Sequence, residues 1–203
     1  MEASFMSRHP HLRDVANFFV FILVVFIGTV LINTFIFRSF SVTGHSMDST
    51  LADGERLIVN RLPLTTAQFQ NKSYSPERGQ IIVFKNPRFV QGERDEYIVK
   101  RVIAFAGERV TVSGGVLTVY NDEHPQGFQP DNDYRKNGVG PKSPVSGDGV
   151  DVVVPEGTIF VCGDNRIGNM SYDSRSGLGT IPIFDIVGPV AIRLWPLPSF
   201  TVF

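Results

Sequence analysis

From Val15 to Phe37 the chain runs for 23 residues without a charge, dominated by Phe, Val, Ile and Leu. As a helix this stretch is about 35 Å long at ~1.5 Å per residue, enough to cross a hydrocarbon layer roughly 30 Å thick. A buried core helix is the alternative, but core helices rarely run so long without a polar face. A cleaved leader would carry a shorter apolar run followed by small residues at the cleavage site, whereas Phe37-Arg-Ser-Phe-Ser-Val42 follows here. The segment is therefore expected to be an uncleaved membrane anchor, residues 15–37, preceded by a short segment, 1–14. Arg8 and Arg13 precede it and Arg38 and Arg56 follow it, so the flanking cations choose no orientation. No second stretch approaches spanning length, which places residues 38–203 on one side of the membrane.

That larger part is expected to be mostly β. Short β-branched runs recur between Gly, Pro, Asn and Asp, at 57–59, 81–84, 97–104, 110–112, 116–120, 150–154, 158–162 and 186–194, a spacing that predicts an antiparallel β domain. Gly114-Gly115 between two alternating runs predicts a hairpin turn. Residues 121–149, rich in Asp, Asn, Gly and Pro, read as a polar excursion with little core of its own. With 19 basic against 20 acidic residues and a net charge of −1, the chain lacks the basic stripe that neutralises phosphates, and nucleic acid is not expected as a partner. The single cysteine, Cys162, excludes an internal disulfide, and no Cys/His cluster has zinc-ligand spacing.

Two segments carry chemistry. In Ser41-Val-Thr-Gly-His-Ser-Met-Asp-Ser-Thr-Leu51, small and polar neighbours let the backbone turn sharply around Ser46, which reads either as a turn former or as an exposed nucleophile. In Glu96-Tyr-Ile-Val-Lys-Arg-Val-Ile-Ala104, period-2 alternation puts Ile98, Lys100, Val102 and Ala104 on one face of a strand and Tyr97, Val99, Arg101 and Ile103 on the other. Lys100 is then the lone charge on an apolar face. Either its stem covers that face while the ammonium reaches water, or burial disfavours the ammonium and yields a neutral amine able to take a proton near neutral pH. His45 is next to Ser46 in sequence, but adjacent side chains in an extended segment point to opposite faces, and His124 lies in the polar excursion. A Ser/His/Asp triad is poorly supported.

With these residues in view, the sequence resembles the bacterial type I signal peptidases, membrane-anchored serine proteases that remove signal peptides from exported preproteins. Four ordered segments carry the resemblance: the anchor followed by Gly44-His-Ser-Met47 and Thr50-Leu51; Gly54-Glu-Arg-Leu-Ile-Val-Asn60; Arg78-Gly-Gln-Ile-Ile-Val-Phe84 with Val99-Lys-Arg-Val-Ile103 and Gly107; and Gly163-Asp-Asn-Arg166 with Ser171-Tyr-Asp-Ser-Arg175. The resemblance implies a single transmembrane helix followed by a catalytic domain coiled from antiparallel sheets and resting on the membrane surface. It implies a plasma-membrane protein with a cytoplasmic N-terminus and an extracytoplasmic catalytic domain. Ser46 would be the nucleophile and Lys100 the general base, with Ser171 orienting the amine. Arg101, Asp164, Arg166, Asp173 and Arg175 would form a structural polar network. Phe40, Val42, Met47, Leu51, Ile98 and Val99 are expected near the substrate pockets, which would take small residues one and three positions before the cut. No metal or cofactor is expected, and the partners are secretory preproteins and membrane lipid.

The chain departs from the family pattern at four places. Ser49 replaces a proline and so removes a fixed φ from the turn after the nucleophile. Gln80 stands where an Asp is common. Four residues, Ile167 to Met170, separate Arg166 from Ser171 where the family usually has two. Gly44 replaces the serine that assists the oxyanion in some members, leaving that task to backbone N–H, chiefly of Ser46. Two rival readings are a self-cleaving Ser/Lys repressor-type protease, against which the anchor and the missing DNA-binding module argue, and a tethered β module that binds without catalysis, which would have no need of Ser46 and Lys100 together.

Overall fold

In the computed structural model, which describes residues 10–92, 96–134 and 140–203, the apolar run forms helix α1 (Pro10–Leu31) and a π-helical turn, Ile32–Ile36. Arg8 and the rest of residues 1–9 lie outside the described residues, as do residues 135–139 of the polar excursion. The helix starts before the expected boundary, and its π-helical turn ends at Ile36, one residue short of the expected end. From Val15 on its side chains are mostly apolar all round, Phe19 and Phe26 among them, and none is buried among the described residues, an arrangement suited to hydrocarbon and costly in water. The widened last turn follows two side chains that bond back to carbonyls of the helix, Thr29 to Val25 at 2.8 Å and Asn33 to Thr29 at 3.1 Å, which loosens the regular ladder.

Phe37 opens strand β1 (Phe37–Ser41) rather than closing the helix. The remaining elements are β2 (Arg56–Asn60), helix α2 (Leu62–Phe69), β3 (Ile81–Lys85), β4 (Tyr97–Phe105), β5 (Arg109–Ser113), β6 (Val116–Tyr120), the single turn α3 (Asp131–Tyr134), β7 (Asp151–Val153), β8 (Thr158–Cys162), β9 (Ile181–Pro182), β10 (Ile186–Trp195) and β11 (Thr201–Val202). The fold is mostly β, as expected. One coiled antiparallel sheet runs β1-β2-β10-β3-β4-β8-β9, with β11 on β10, and a three-stranded sheet runs β6-β5-β7. The Gly114-Gly115 hairpin joins β5 to β6 with both glycines at positive φ and Ser113 opposite Val116, the backbone that a two-residue turn of this hand requires.

Three apolar clusters hold the sheets. Alternation in β3 divides it cleanly, since Ile81 and Val83 enter a cluster with Val42, Met47, Leu51, Leu57 and Val59, while Ile82 and Phe84 enter another with Val102, Ile159, Val161 and Leu178. Strand β4 follows alternation only as far as Val102. Its register against β8 shifts between Val102 and Ala104, so Ala104 packs with Ile103 in the third cluster and the expected face Ile98, Lys100, Val102, Ala104 is broken by the bulge. The polar excursion is less detached than its composition predicts, because Val145 is buried in that third cluster and Phe128 and Tyr134 pack on it.

Strand β10 joins the two halves of the large sheet, pairing with β2 on one side and β3 on the other, with register shifts that let it bend. At the bend, a Cβ on Gly188 would overlap the Asn60 carbonyl oxygen. Gly188→Ala is therefore expected to destabilise the protein by about 3 kcal/mol or more, read as a lowered midpoint in thermal unfolding of the detergent-solubilised chain followed by the fluorescence of Trp195.

Candidate active site

The loop carrying Ser46 is closed at its base by Val42 N–H to Glu55 C=O (2.8 Å) and Gly54 N–H to Val42 C=O (3.0 Å). Met47 and Leu51, each about 1% exposed, drop from the loop into the core. They form the floor beneath the site and do not line its cleft. Two turns hold the loop's shape, Asp48 N–H to His45 C=O and Leu51 N–H to Met47 C=O. Ser49 sits at φ +87°, a left-handed conformation that proline cannot adopt. This turn is thus not the family turn with its ring removed. Its rigidity comes instead from hydroxyls, the Ser49 Oγ donating to the Gly140 carbonyl and the Thr50 Oγ1 to the Asp164 carboxylate.

Strand β4 brings Lys100 to the loop from 54 positions away, with Nζ 2.6 Å from Ser46 Oγ. Lys100 is 3% exposed, so its head is buried along with its stem. His45 turns outward, its Nδ1 3.1 Å from the Asp48 carboxylate. The Gly44 N–H, at φ +89°, is occupied by Asp53 Oδ1 at 2.7 Å, whereas the Ser46 N–H has no hydrogen-bond partner among the described residues.

The third wall is the segment after β8. Asn165 holds the Ser46 loop by two bonds, its N–H to the Ser46 carbonyl at 3.0 Å and its side-chain amide to the His45 carbonyl at 2.9 Å. A Cβ on Gly163 would overlap both the Ser46 carbonyl oxygen and Ser171 Oγ, so only glycine lets these segments meet. Neither residue was singled out from the sequence, where a loop Asn and a loop Gly are ordinary; their place within a matched segment was the one available signal. Ser171 lies 4% exposed beside them, with its hydroxyl also close to the Asp173 carboxylate.

The polar network is buried and paired. Arg101 reaches Asp164 through two N–H groups at 2.8 and 2.5 Å and the Gly79 carbonyl at 2.7 Å. Arg166, fully buried, pairs with Asp131 of α3 at 2.5 Å, which ties the polar excursion to the site. Asp173 accepts from Arg175 and from the Gly163 N–H at 3.0 Å. Burial alone would raise the Asp173 carboxyl, but the Arg175 guanidinium, the Ser171 hydroxyl and the Gly163 N–H hold it below its ordinary value.

Between these walls opens a cleft of about 790 Å³, lined by Phe40, Val42, Ile98 and Val99 and also by Tyr97, Asn169, Met170 and Tyr172, which were not singled out from the sequence. Strand β4 pairs with β3 from Tyr97 to Arg101 but with β8 only from Arg101 onward. Tyr97 to Lys100 therefore present a strand edge to the cleft. An extended chain can add to such an edge.

The profile of the family described as "Signal peptidase, peptidase S26" matches residues 13–195. A signal peptidase IB of Staphylococcus aureus is 31% identical over 199 residues, covering 93% of each chain, and a signal peptidase I of Bacillus licheniformis is 33% identical over 175 residues, covering 86% of each. A solved signal peptidase I from Enterococcus faecalis is 27% identical over 57% of this chain and 96% of its own, with a TM-score of 0.35, too partial a likeness to bear on the fold.

A carboxyl whose folded pKa is depressed stabilises the protein above its unfolded pKa and loses that contribution as pH falls through the folded value. Asp173→Asn is accordingly expected to lower the thermal midpoint at pH 7, and the gap from wild type should narrow once the pH drops below ~3.9. Melts of both proteins across the acid range in one detergent check this.

Proposed function

The chain belongs to the signal peptidase family, peptidase S26, and we propose that it is a membrane-anchored serine endopeptidase that removes N-terminal signal peptides from exported preproteins with a Ser46/Lys100 dyad. The observation that carries this reading is the 2.6 Å contact between Ser46 Oγ and the Nζ of a lysine buried to 3% exposure. Burial disfavours the ammonium, and a neutral amine at that distance can take the hydroxyl proton as Oγ attacks the scissile carbonyl. The resulting ammonium gives its proton to the leaving amine, an acyl ester remains on Ser46, and Lys100 then draws a proton from the water that hydrolyses it. The unpartnered Ser46 N–H is the backbone donor for the oxyanion. Ser171, buried beside Gly163, orients the amine.

The preprotein binds as an added strand along Tyr97 to Lys100, with Phe40, Val42, Ile98 and Val99 shaping shallow pockets that favour small residues one and three positions before the cut. In the proposed arrangement α1 and its π turn anchor the chain in the plasma membrane, residues 1–14 are cytoplasmic, and the domain from residue 38 faces the extracytoplasmic side and touches lipid. Neither a metal nor a cofactor enters the mechanism.

Incubating the full chain in detergent with a preprotein, and sequencing the new N-terminus, tests this directly. Ser46→Ala and Lys100→Ala should each lower cleavage by roughly 10³-fold or more, because nucleophile and base act as a unit. Retention of near wild-type turnover by Lys100→Ala would overturn the dyad. Single-turnover rates should also rise on an acid limb above about pH 7 that His45→Ala leaves unchanged; a limb near ~6.5 that vanishes in His45→Ala would assign the base to histidine instead.

A further inference from the structure

A second groove, of about 560 Å³, lies beside the end of the spanning segment. Four cations line it, Arg38, Arg61, Lys72 and Lys85, against one carboxylate, Asp185. Its position is fixed by helix α2, which is tied to the last turn of the apolar helix. Arg61 N–H bonds the Ile36 carbonyl at 2.7 Å, the Arg61 guanidinium bonds the Thr34 carbonyl at 2.5 Å, and Thr65 Oγ1 bonds the Phe35 carbonyl at 2.8 Å. If α1 spans the bilayer, as proposed above, these bonds hold the groove at the depth where lipid phosphates lie. Phe184, which lines the groove, is 86% exposed, and Phe69, next to the lining residue Gln68, is 80% exposed. Two bare phenyl rings beside a cationic hollow are costly in water and favourable where acyl chains meet headgroups.

We propose that this groove binds the phosphate headgroup of an anionic phospholipid, a site that rests on the reading of α1 as a membrane span. Charge complementarity and position both select that occupant. Arginine and lysine groups near a membrane surface attract anionic lipid, and the exposed rings give the acyl chains a place to lie. A soluble phosphate would use the cations and have no use for the rings. Lys72 and Lys85 are exposed at the groove and outside the catalytic machinery, so they can be replaced without emptying the core. Arg38 is a poorer probe, because its guanidinium stacks on Tyr97 and Phe40 at 4.6 and 5.1 Å from their ring centres, next to the substrate cleft.

The test is native mass spectrometry of the full chain in a mild nonionic detergent with equal amounts of dioleoyl phosphatidylglycerol and dioleoyl phosphatidylcholine. The wild type is expected to retain phosphatidylglycerol about fivefold over phosphatidylcholine. Lys72→Ala/Lys85→Ala should bring the ratio near one while preprotein cleavage in detergent persists, and Lys72→Arg/Lys85→Arg should keep the preference. Equal retention of both lipids by the wild type, or a preference that survives Lys72→Ala/Lys85→Ala, overturns the site. Displacement of the bound lipid by millimolar inorganic phosphate would reassign the groove to a free anion and overturn it as a lipid site. Ser46→Ala keeps the lipid preference whatever happens to cleavage, and carbonate extraction of vesicles holding the chain reports separately on the span, so failure of the function reading is distinguishable from failure of the site.

Discussion

The pairing of Arg101 with Asp164 is the constraint on which the rest of the site depends. Asp164 is fully buried and Arg101 nearly so, and a carboxylate in that position without its guanidinium would be strongly destabilising. The pair and its shell therefore close only when three distant segments meet: β4, which supplies Arg101; the stretch after β8, which supplies Asp164; and the Ser46 loop, whose Thr50 hydroxyl completes the Asp164 shell. Lys100 precedes Arg101 on the same strand, and Ser46 sits on the loop that Asp164 and Asn165 grip from the other side. Strain or slack in this network would be felt directly in the Ser46–Lys100 distance, and holding reacting groups in place is where much of a rate enhancement originates.

The departures from the family pattern redistribute this rigidity without removing it. At Ser49 the backbone has changed hand, and side-chain hydroxyls do the work that a proline ring would do elsewhere. The longer connection before Ser171 puts Asn169 and Met170 on the wall of the cleft together with Tyr172, so the insertion shapes that wall and leaves Ser171 beside Gly163. The two grooves share a wall as well. Tyr97 lines both, with Arg38 stacked against it, which places the cations of the second groove one side chain away from the cleft.

Much of the architecture was legible in local pattern. Strands β2, β3, β5, β6, β8 and β10 announce themselves by β-branched runs between turn residues, and Gly114-Gly115 by the positive φ that its hairpin needs. What escaped had no local signature. Strand β1 follows the apolar run directly and borrows its hydrophobicity, β9 and β11 are two residues each, and α2 is eight residues with a proline in its first turn, too short to display a helical period. The face expected for β4 broke at a bulge, which depends on the register of its partner and leaves no mark in its own composition.

The same division separates the anchor from the chemistry. By itself the sequence determined that one segment suits hydrocarbon and that the remainder builds strands, because crossing a bilayer depends on the length and polarity of a contiguous stretch, and strand formation largely on its alternation. Ser46 and Lys100 were visible in the sequence only as a loop serine and a strand lysine, each with a plain structural explanation, until resemblance to a family joined them. Tertiary structure alone decided that they meet, that Met47 and Leu51 turn inward while Val42 faces the cleft, and that Asn165 clamps the loop. Contact between residues 54 positions apart is a property of sheet register and buried charge pairing, and neither exists until the segments have come together.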